Sequence, residues 1–234
     1  MNDLLRRSVE LTDSVTVHID QDHSSGELGG TVWDAALVTA HFLAHRVAEA
    51  AHFGVVPVGV PVLPVPRVIE LGAGTGFVGI AAALCGAVDE GGEVVLTDLP
   101  VLVPLMQHNV EVAKDQLAAK KVSVSVEALD WTDEEATANI APAQLIVVAD
   151  CVANCYAPVL SGLISTLVRL TEPGSAVLFA FEAREGRPED GFLRSVRDSG
   201  YFDLHFIPHD LHHPSVQSPD IGAFLATRRL SPAS

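Results

Sequence analysis

Val68-Ile69-Glu70-Leu71-Gly72-Ala73-Gly74-Thr75-Gly76-Phe77-Val78-Gly79 is the stretch whose reading decides the fold. An apolar run closes on an acid, glycine then takes every second position, and a segment of small apolar residues begins at once. The pattern predicts a strand, a tight turn and a helix N-terminus. Glycine opens backbone angles closed to other residues and lets main-chain N–H groups approach a ligand, while the new helix places partial positive charge at the same spot. A polar ligand is expected on this turn.

Downstream the order is regular. A helix is expected to about Cys85, a turn at Asp89 to Gly92, and a strand from Glu93 to Thr97 ending in Asp98. The unit then repeats: a helix from Val101 to Ala119, a strand from Val122 to Glu127, a polar helical stretch to Asn139, a buried strand from Leu145 to Ala149, a helix from Tyr156 to Leu170 and a strand from Ala176 to Phe181. Such alternation predicts a parallel sheet with helices on both faces and ligands at the carboxyl ends of its strands. After a helix near Gly191 to Ser199, Phe202–Ile207 and Ile221–Thr227 follow with no helix between them, which predicts an antiparallel pair. The expected fold class is α/β, a Rossmann-like doubly wound sheet of seven mostly parallel strands ending in an antiparallel hairpin.

Upstream, Val15 to Ile19 alternates like a strand, Gln21 to Gly30 is a polar loop, and Val32 to Phe53 carries a helical pattern. Pro57, Pro61, Pro64 and Pro66 punctuate a valine-rich segment read as an extended linker. The division that follows is an N-terminal extension over 1–66 packing on a ligand-binding domain over 67–234.

At 234 residues one sizeable domain accounts for the chain. Lys+Arg 14 against Asp+Glu 30 gives a net charge of −16, so attraction to nucleic-acid phosphates would be repulsive on average. A basic protein or peptide is the more natural macromolecular partner, though acidity also keeps a hydrophobic chain in solution. Three cysteines, Cys85, Cys151 and Cys155, argue against a disulfide framework. No apolar run reaches membrane-spanning length and the start lacks a signal-peptide core. These features predict a cytoplasmic protein, with nuclear access left open, that works as a monomer away from membranes.

Gly74 to Gly79 satisfies the dinucleotide spacing G-x-G-x-x-G, a pattern shared by more than one cofactor class. Asp98, 22 positions after Gly76, closes the neighbouring strand, where an acid accepts hydrogen bonds from a ribose diol; it also suits a helix N-cap before Pro100. Trp33 and Trp131, the only tryptophans, both fall near the expected ligand edge, where a flat indole stacks on a base.

The longer motif Glu70-x-Gly72-x-Gly74-x-Gly76 resembles the first motif of class I S-adenosylmethionine-dependent methyltransferases. A sharper resemblance is carried by Gly30 to Ala36, Glu70 to Gly76, Thr97-Asp98, Gln107-His108-Asn109, Leu129-Asp130-Trp131, Val148 to Cys151 and Phe181-Glu182-Ala183-Arg184. Together they look like the family-16 protein methyltransferases, a group that includes lysine methyltransferases of chaperones, valosin-containing protein and elongation factors. The likeness runs from about Gly29 to the end of the chain. It implies S-adenosyl-L-methionine as cofactor and a lysine of a protein, basic or chaperone-like, as substrate. Cofactor contacts are implied at Trp33, Glu70, Gly72, Ala73, Gly74, Thr75, Gly76, Asp98, Leu99, Trp131 and Ala149.

The chain departs from the family where an Asp-x-x-Tyr or Glu-x-x-Phe-like motif is usual, for Asp150-Cys151-Val152-Ala153 lacks the aromatic. Tyr156, three positions on and on the same face of a helix starting there, is expected to substitute. Asp150 and Glu182, both at strand ends, are the candidates to orient the target nitrogen, with pairing to Arg184 as their alternative role. The rivals are a small-molecule methyltransferase, a catalytically silent cofactor-binding protein, and a nicotinamide oxidoreductase, disfavoured by Glu70 and the terminal hairpin. His209-Asp210-Leu211-His212-His213 matches no strong metal spacing, so no metal is assigned.

Overall fold

The computed structural model describes residues 4–53, 62–152, 159–185 and 188–231. Nine strands and six α-helices run in the order β1 (Leu5–Thr12), β2 (Val15–Gln21), α1 (Asp34–Phe53), β3 (Val65–Leu71), α2 (Phe77–Cys85), β4 (Val88–Asp98), α3 (Val103–Lys120), β5 (Ser123–Ala128), α4 (Glu134–Ala138), β6 (Ala143–Ala149), α5 (Leu160–Leu170), β7 (Thr171–Glu182), α6 (Pro188–Asp198), β8 (Phe202–Ile207) and β9 (Ile221–Arg228) among the described residues. Seven strands form one sheet in the order β5-β4-β3-β6-β7-β9-β8, parallel except that β9 lies antiparallel to both neighbours. The expected doubly wound sheet and its closing hairpin are both present.

The strand sequences show why the sheet is covered on both sides. In β3, β6 and β7 successive residues enter opposite cores: Val68, Leu145, Val147 and Leu178 join the layer under α1, α2 and α3, whereas Ile69, Ile146, Val148 and Phe179 join the layer under α5 and α6. Side chains alternate across a strand, so a run apolar at every position is stable only between two helical layers. Helix α2 is buried from Phe77 to Leu84, and Ala81, Ala82 and Ala83 let it lie close to its neighbours. Within β3, Glu70 shares the face of Val68 and so points beneath α2.

Several boundaries differ from the sequence expectation, β7 for one beginning at Thr171 rather than Ala176, and two of them lie around β3. The segment read as a linker ends before Val65, and Pro66 lies inside β3. Its missing N–H is harmless there because the β3–β4 register shifts between Val65 and Arg67, and β6 pairs only with Val68 to Glu70. The same irregularity draws the expected turn at Asp89 to Gly92 into β4, which begins at Val88. One strand was not expected. β1 pairs with β2 in register from Leu5 opposite Gln21, and turns Val9 and Leu11 into the core, with Arg7 half-buried on the same face and Arg6 and Glu10 exposed on the other.

Candidate cofactor site

From β3 the sheet is built outward in both directions, β4 on one side and β6 on the other, so a crevice opens beyond their carboxyl ends. A cavity of about 340 Å³ occupies it, within the range of small-molecule sites. Its floor is Gly72 to Thr75. Its walls are Asp98 and Leu99 at the end of β4, Leu129 to Trp131 after β5 and Ala149 to Cys151 at the end of β6, and its roof is a strap that includes Gly26 to Gly29 and Thr31 to Trp33.

The floor is shaped by close backbone passage. Gly74 has φ +55°, and a Cβ there would lie 2.7 Å from the Gly29 carbonyl oxygen of the strap. Gly72 has φ +66°, and its Cβ would lie 2.4 Å from the Cys151 sulfur and 3.2 Å from the Trp131 ring. Neither position has room for a side chain, and both leave main-chain atoms bare to the cavity.

Asp98 ties the floor to the wall. Its Oδ2 accepts the Gly74 N–H at 2.7 Å and its Oδ1 the Leu99 N–H at 2.7 Å. A carboxylate has about four acceptor positions, so both oxygens keep capacity for a ligand hydroxyl. Burial pushes its pKa up, and the Gly74 N–H pulls against that.

Glu70 is 2% exposed, and its Oε2 accepts the Gly79 N–H in the first turn of α2 at 2.7 Å. It touches the cavity from below while its carboxyl serves the helix end. Burial pushes its pKa up to about 8 from 4.5. A raised carboxyl contributes stability that is complete below pH 4.5 and lost as pH rises through about 8, with a slope of up to about 1.4 kcal/mol per pH unit between. Glu70→Gln keeps the acceptor and cannot ionise. Thermal melts from pH 5 to 8.5 should therefore show a flatter decline in the variant than in the wild type.

Trp33 and Trp131 both line the cavity, the first from the strap and the second after β5. The Trp33 indole N–H donates to the Leu28 carbonyl at 3.0 Å, which folds the strap over the opening. Trp33 is 40% exposed, Leu99 47% and Leu28 50%, an apolar rim unusual for free surface. Ala73, Thr75 and Ala149 also line the cavity; Gly76 does not, and instead caps α2 with φ +80°.

The three catalytic candidates, Asp150 and Glu182 for the target nitrogen and Tyr156 for the missing aromatic, fall differently. Asp150 lines the cavity with a left-handed backbone, φ 58°, but its carboxylate, 3% exposed, is gripped by Arg184 through two bonds of 2.8 and 2.7 Å. Glu182 lies outside the lining, its carboxylate 3.4 Å from the same guanidinium. Tyr156 and Ala153 lie outside the described residues. The histidine-rich loop packs on itself and on α1: His41 stacks on His213 with ring centroids 5.0 Å apart, and His209 meets His212 at 5.1 Å. Among the described residues no group of three or more His, Cys, Asp or Glu is arranged to hold a metal ion.

The sequence reading missed the strap's packing. Gly29 presses on Gly74, Leu102 lies against Gly29, and Gln21 Oε1 accepts the Val32 N–H and the Thr31 hydroxyl, each at 2.9 Å. The one available signal was the pair Gly29-Gly30 closing a polar loop.

A family model described as lysine methyltransferase matches residues 11–199. Protein N-lysine methyltransferase METTL21A of Xenopus tropicalis is 31% identical over 215 residues, covering 91% of this chain and 84% of that protein. EEF1A lysine methyltransferase 3 of Mus musculus is 35% identical over 167 residues, 70% of this chain and 60% of that protein. Among solved structures, an O-methyltransferase family protein from Burkholderia thailandensis superposes with a TM-score of 0.57 at 13% identity, over 83% of this chain and 59% of that one. The glycopeptide N-methyltransferase MtfA, solved with S-adenosyl-L-homocysteine, gives 0.55 at 16% identity, over 80% and 89%. At such identities these two likenesses concern the fold alone.

Proposed function

The chain belongs to the lysine methyltransferase family, and from that membership we propose what each part of the crevice does. The protein is an S-adenosyl-L-methionine-dependent methyltransferase, and its substrate is a lysine side chain of a protein. The observation that carries the assignment of the site is a single cavity lined by the glycine turn, by Asp98 and by both tryptophans of the chain.

Fit to the cofactor is supported by the space and by the chemistry of the lining. Bare glycine backbone at 72 and 74 leaves room for the amino-acid arm, Asp98 retains acceptor positions for the ribose hydroxyls, and the indoles offer flat apolar walls. The cofactor supplies a sulfonium-bound methyl group. The protein contributes placement: the strap and the apolar rim exclude water, and Asp150, locked by Arg184, is a fixed polar group at the end of β6. Arg184 offsets one of the two carboxylate charges of Asp150 and Glu182, so this edge keeps a net charge of about −1 toward a lysine ammonium, which also favours the amine's charged form. The net charge of −16 supports a basic surface around the target lysine.

Asp98→Asn removes the charge-assisted acceptor. Binding of S-adenosyl-L-homocysteine should weaken by about 1.5–3 kcal/mol, or roughly 10–150-fold by calorimetry. Affinity in the wild type should fall on acidification as the carboxyl gains its proton, and burial makes that loss begin at a higher pH than for an ordinary aspartate.

The assignment is tested by incubating the protein with cofactor labelled in the methyl group and a hypomethylated lysate, then locating the label by mass spectrometry. Label on the nitrogen of a protein lysine is the expected result. Label confined to small metabolites, or cofactor binding without transfer, would replace this reading by one of its rivals.

A further inference from the structure

Asn109 sits on α3, fully buried and outside the cavity lining. Its amide is used on both ends. Oδ1 accepts the Asp20 N–H at 2.8 Å, while Nδ2 donates to the carbonyls of Asp20 and Thr75, each at 2.9 Å. Only an amide supplies one acceptor and two donors in this arrangement; a carboxylate has no donor and an alanine neither. The partners are telling. Thr75 belongs to the floor of the cavity, and Asp20 is the last residue of β2 but one, directly before the strap.

The Asp20 side chain is anchored as well. Arg6 donates Nε and one terminal N–H to it at 2.8 Å each, and His108 Nε2 lies 2.8 Å from Oδ2. Gln21 then holds the far end of the strap through Thr31 and Val32, and the Asp22 N–H closes on the Gly30 carbonyl at 2.8 Å. A continuous set of hydrogen bonds therefore joins floor to roof, and Asn109 is the point where it crosses.

We propose that Asn109 is a positioning residue that holds the glycine turn and the strap against each other, so that cofactor affinity depends on a side chain the cofactor does not touch. The inference rests on the cofactor reading given above. Removing the amide strands two carbonyls and one N–H in a buried place, and the strain is relieved where the chain is least constrained. The sheet is locked by its ladders, whereas the turn and the strap are loops. Their separation by even a fraction of an ångström opens the Gly29–Gly74 contact that shapes the floor.

The test compares wild type, Asn109→Ala, Gln21→Ala and the double variant at a temperature where each is folded. Calorimetry with S-adenosyl-L-homocysteine is expected to show Asn109→Ala binding at least tenfold more weakly, with the double variant falling short of the product of the two single effects. Hydrogen exchange should accelerate in peptides covering 22–33 and 72–76 and stay unchanged in β6 and β7, a localisation that a general loss of stability would not produce. Affinity within twofold of wild type in folded Asn109→Ala, or exchange rising equally across the sheet, overturns the proposal. Should Asn109→Ala fail to fold, Asn109→Ser takes its place, and wild-type affinity in that variant overturns the proposal equally. A wild type that binds no S-adenosyl-L-homocysteine would instead remove the cofactor reading itself.

Discussion

Arg184→Ala should be the most destabilising single change to a charged residue in this protein, costing about 3–5 kcal/mol. The Asp150 carboxylate is 3% exposed and takes both terminal nitrogens of Arg184 in a fork of 2.8 and 2.7 Å. Truncating the arginine leaves that charge buried without its partner, and water reaches it poorly. For a chain of this length the loss corresponds to a fall of roughly 6–20 °C in Tm. Asp150→Asn added to Arg184→Ala removes the stranded charge, keeps a side chain that tolerates the left-handed backbone at φ 58°, and should recover much of the loss. A melt of the double variant no higher than that of Arg184→Ala would show that the pair does not act as a buried ion pair. Methyl transfer should fall in both variants, because Asp150 is part of the cavity wall.

That ion pair also shows what a single sequence leaves undecided. Asp150 and Glu182 are legible as acids at strand ends, since apolar runs finish on each. Which of them Arg184 grips depends on β6 and β7 lying side by side, which brings Arg184 to Asp150, 34 residues away in sequence. The glycine turn, Asp98 and the two tryptophans are legible for a related reason: each owes its place to local spacing, a strand end or a rare residue type. Asn109 is legible only as part of the Gln107-His108-Asn109 segment that carries the family resemblance, and nothing in that segment states what its amide does. Its partners Asp20 and Thr75 are 89 and 34 residues away, and an asparagine on a helix reads as an ordinary polar position until the fold buries it. β1 escaped for a different reason. Its charged residues obscure an alternation that only pairing with β2 makes visible, and Pro66 entered a strand because the register shift spares its missing N–H.

Gly74→Ala should abolish measurable cofactor binding, a loss of more than about 100-fold, while leaving the protein folded. Two costs coincide at this position. The backbone stands at φ +55°, where a non-glycine residue is worse by about 1–2 kcal/mol, and the new methyl group would lie 2.7 Å from the Gly29 carbonyl oxygen. That neighbour is main chain and cannot rotate away, so the turn and the strap must part. The Gly74 N–H that holds Asp98 Oδ2 at 2.7 Å then moves with the turn, disturbing the floor and the sugar-binding acid together. Gly91 supplies the comparison, because it stands at φ +83° with nothing within 4 Å of an added Cβ, at the far end of β4 from the cavity. Gly91→Ala should cost only the backbone strain, a Tm lower by roughly 2–8 °C, and bind S-adenosyl-L-homocysteine as the wild type does. If Gly74→Ala behaved like Gly91→Ala, with a lower melt and full affinity, the contact between turn and strap would have no part in shaping the site. Loss of binding in the first and its retention in the second would tie affinity to that one backbone crossing rather than to glycine strain in general.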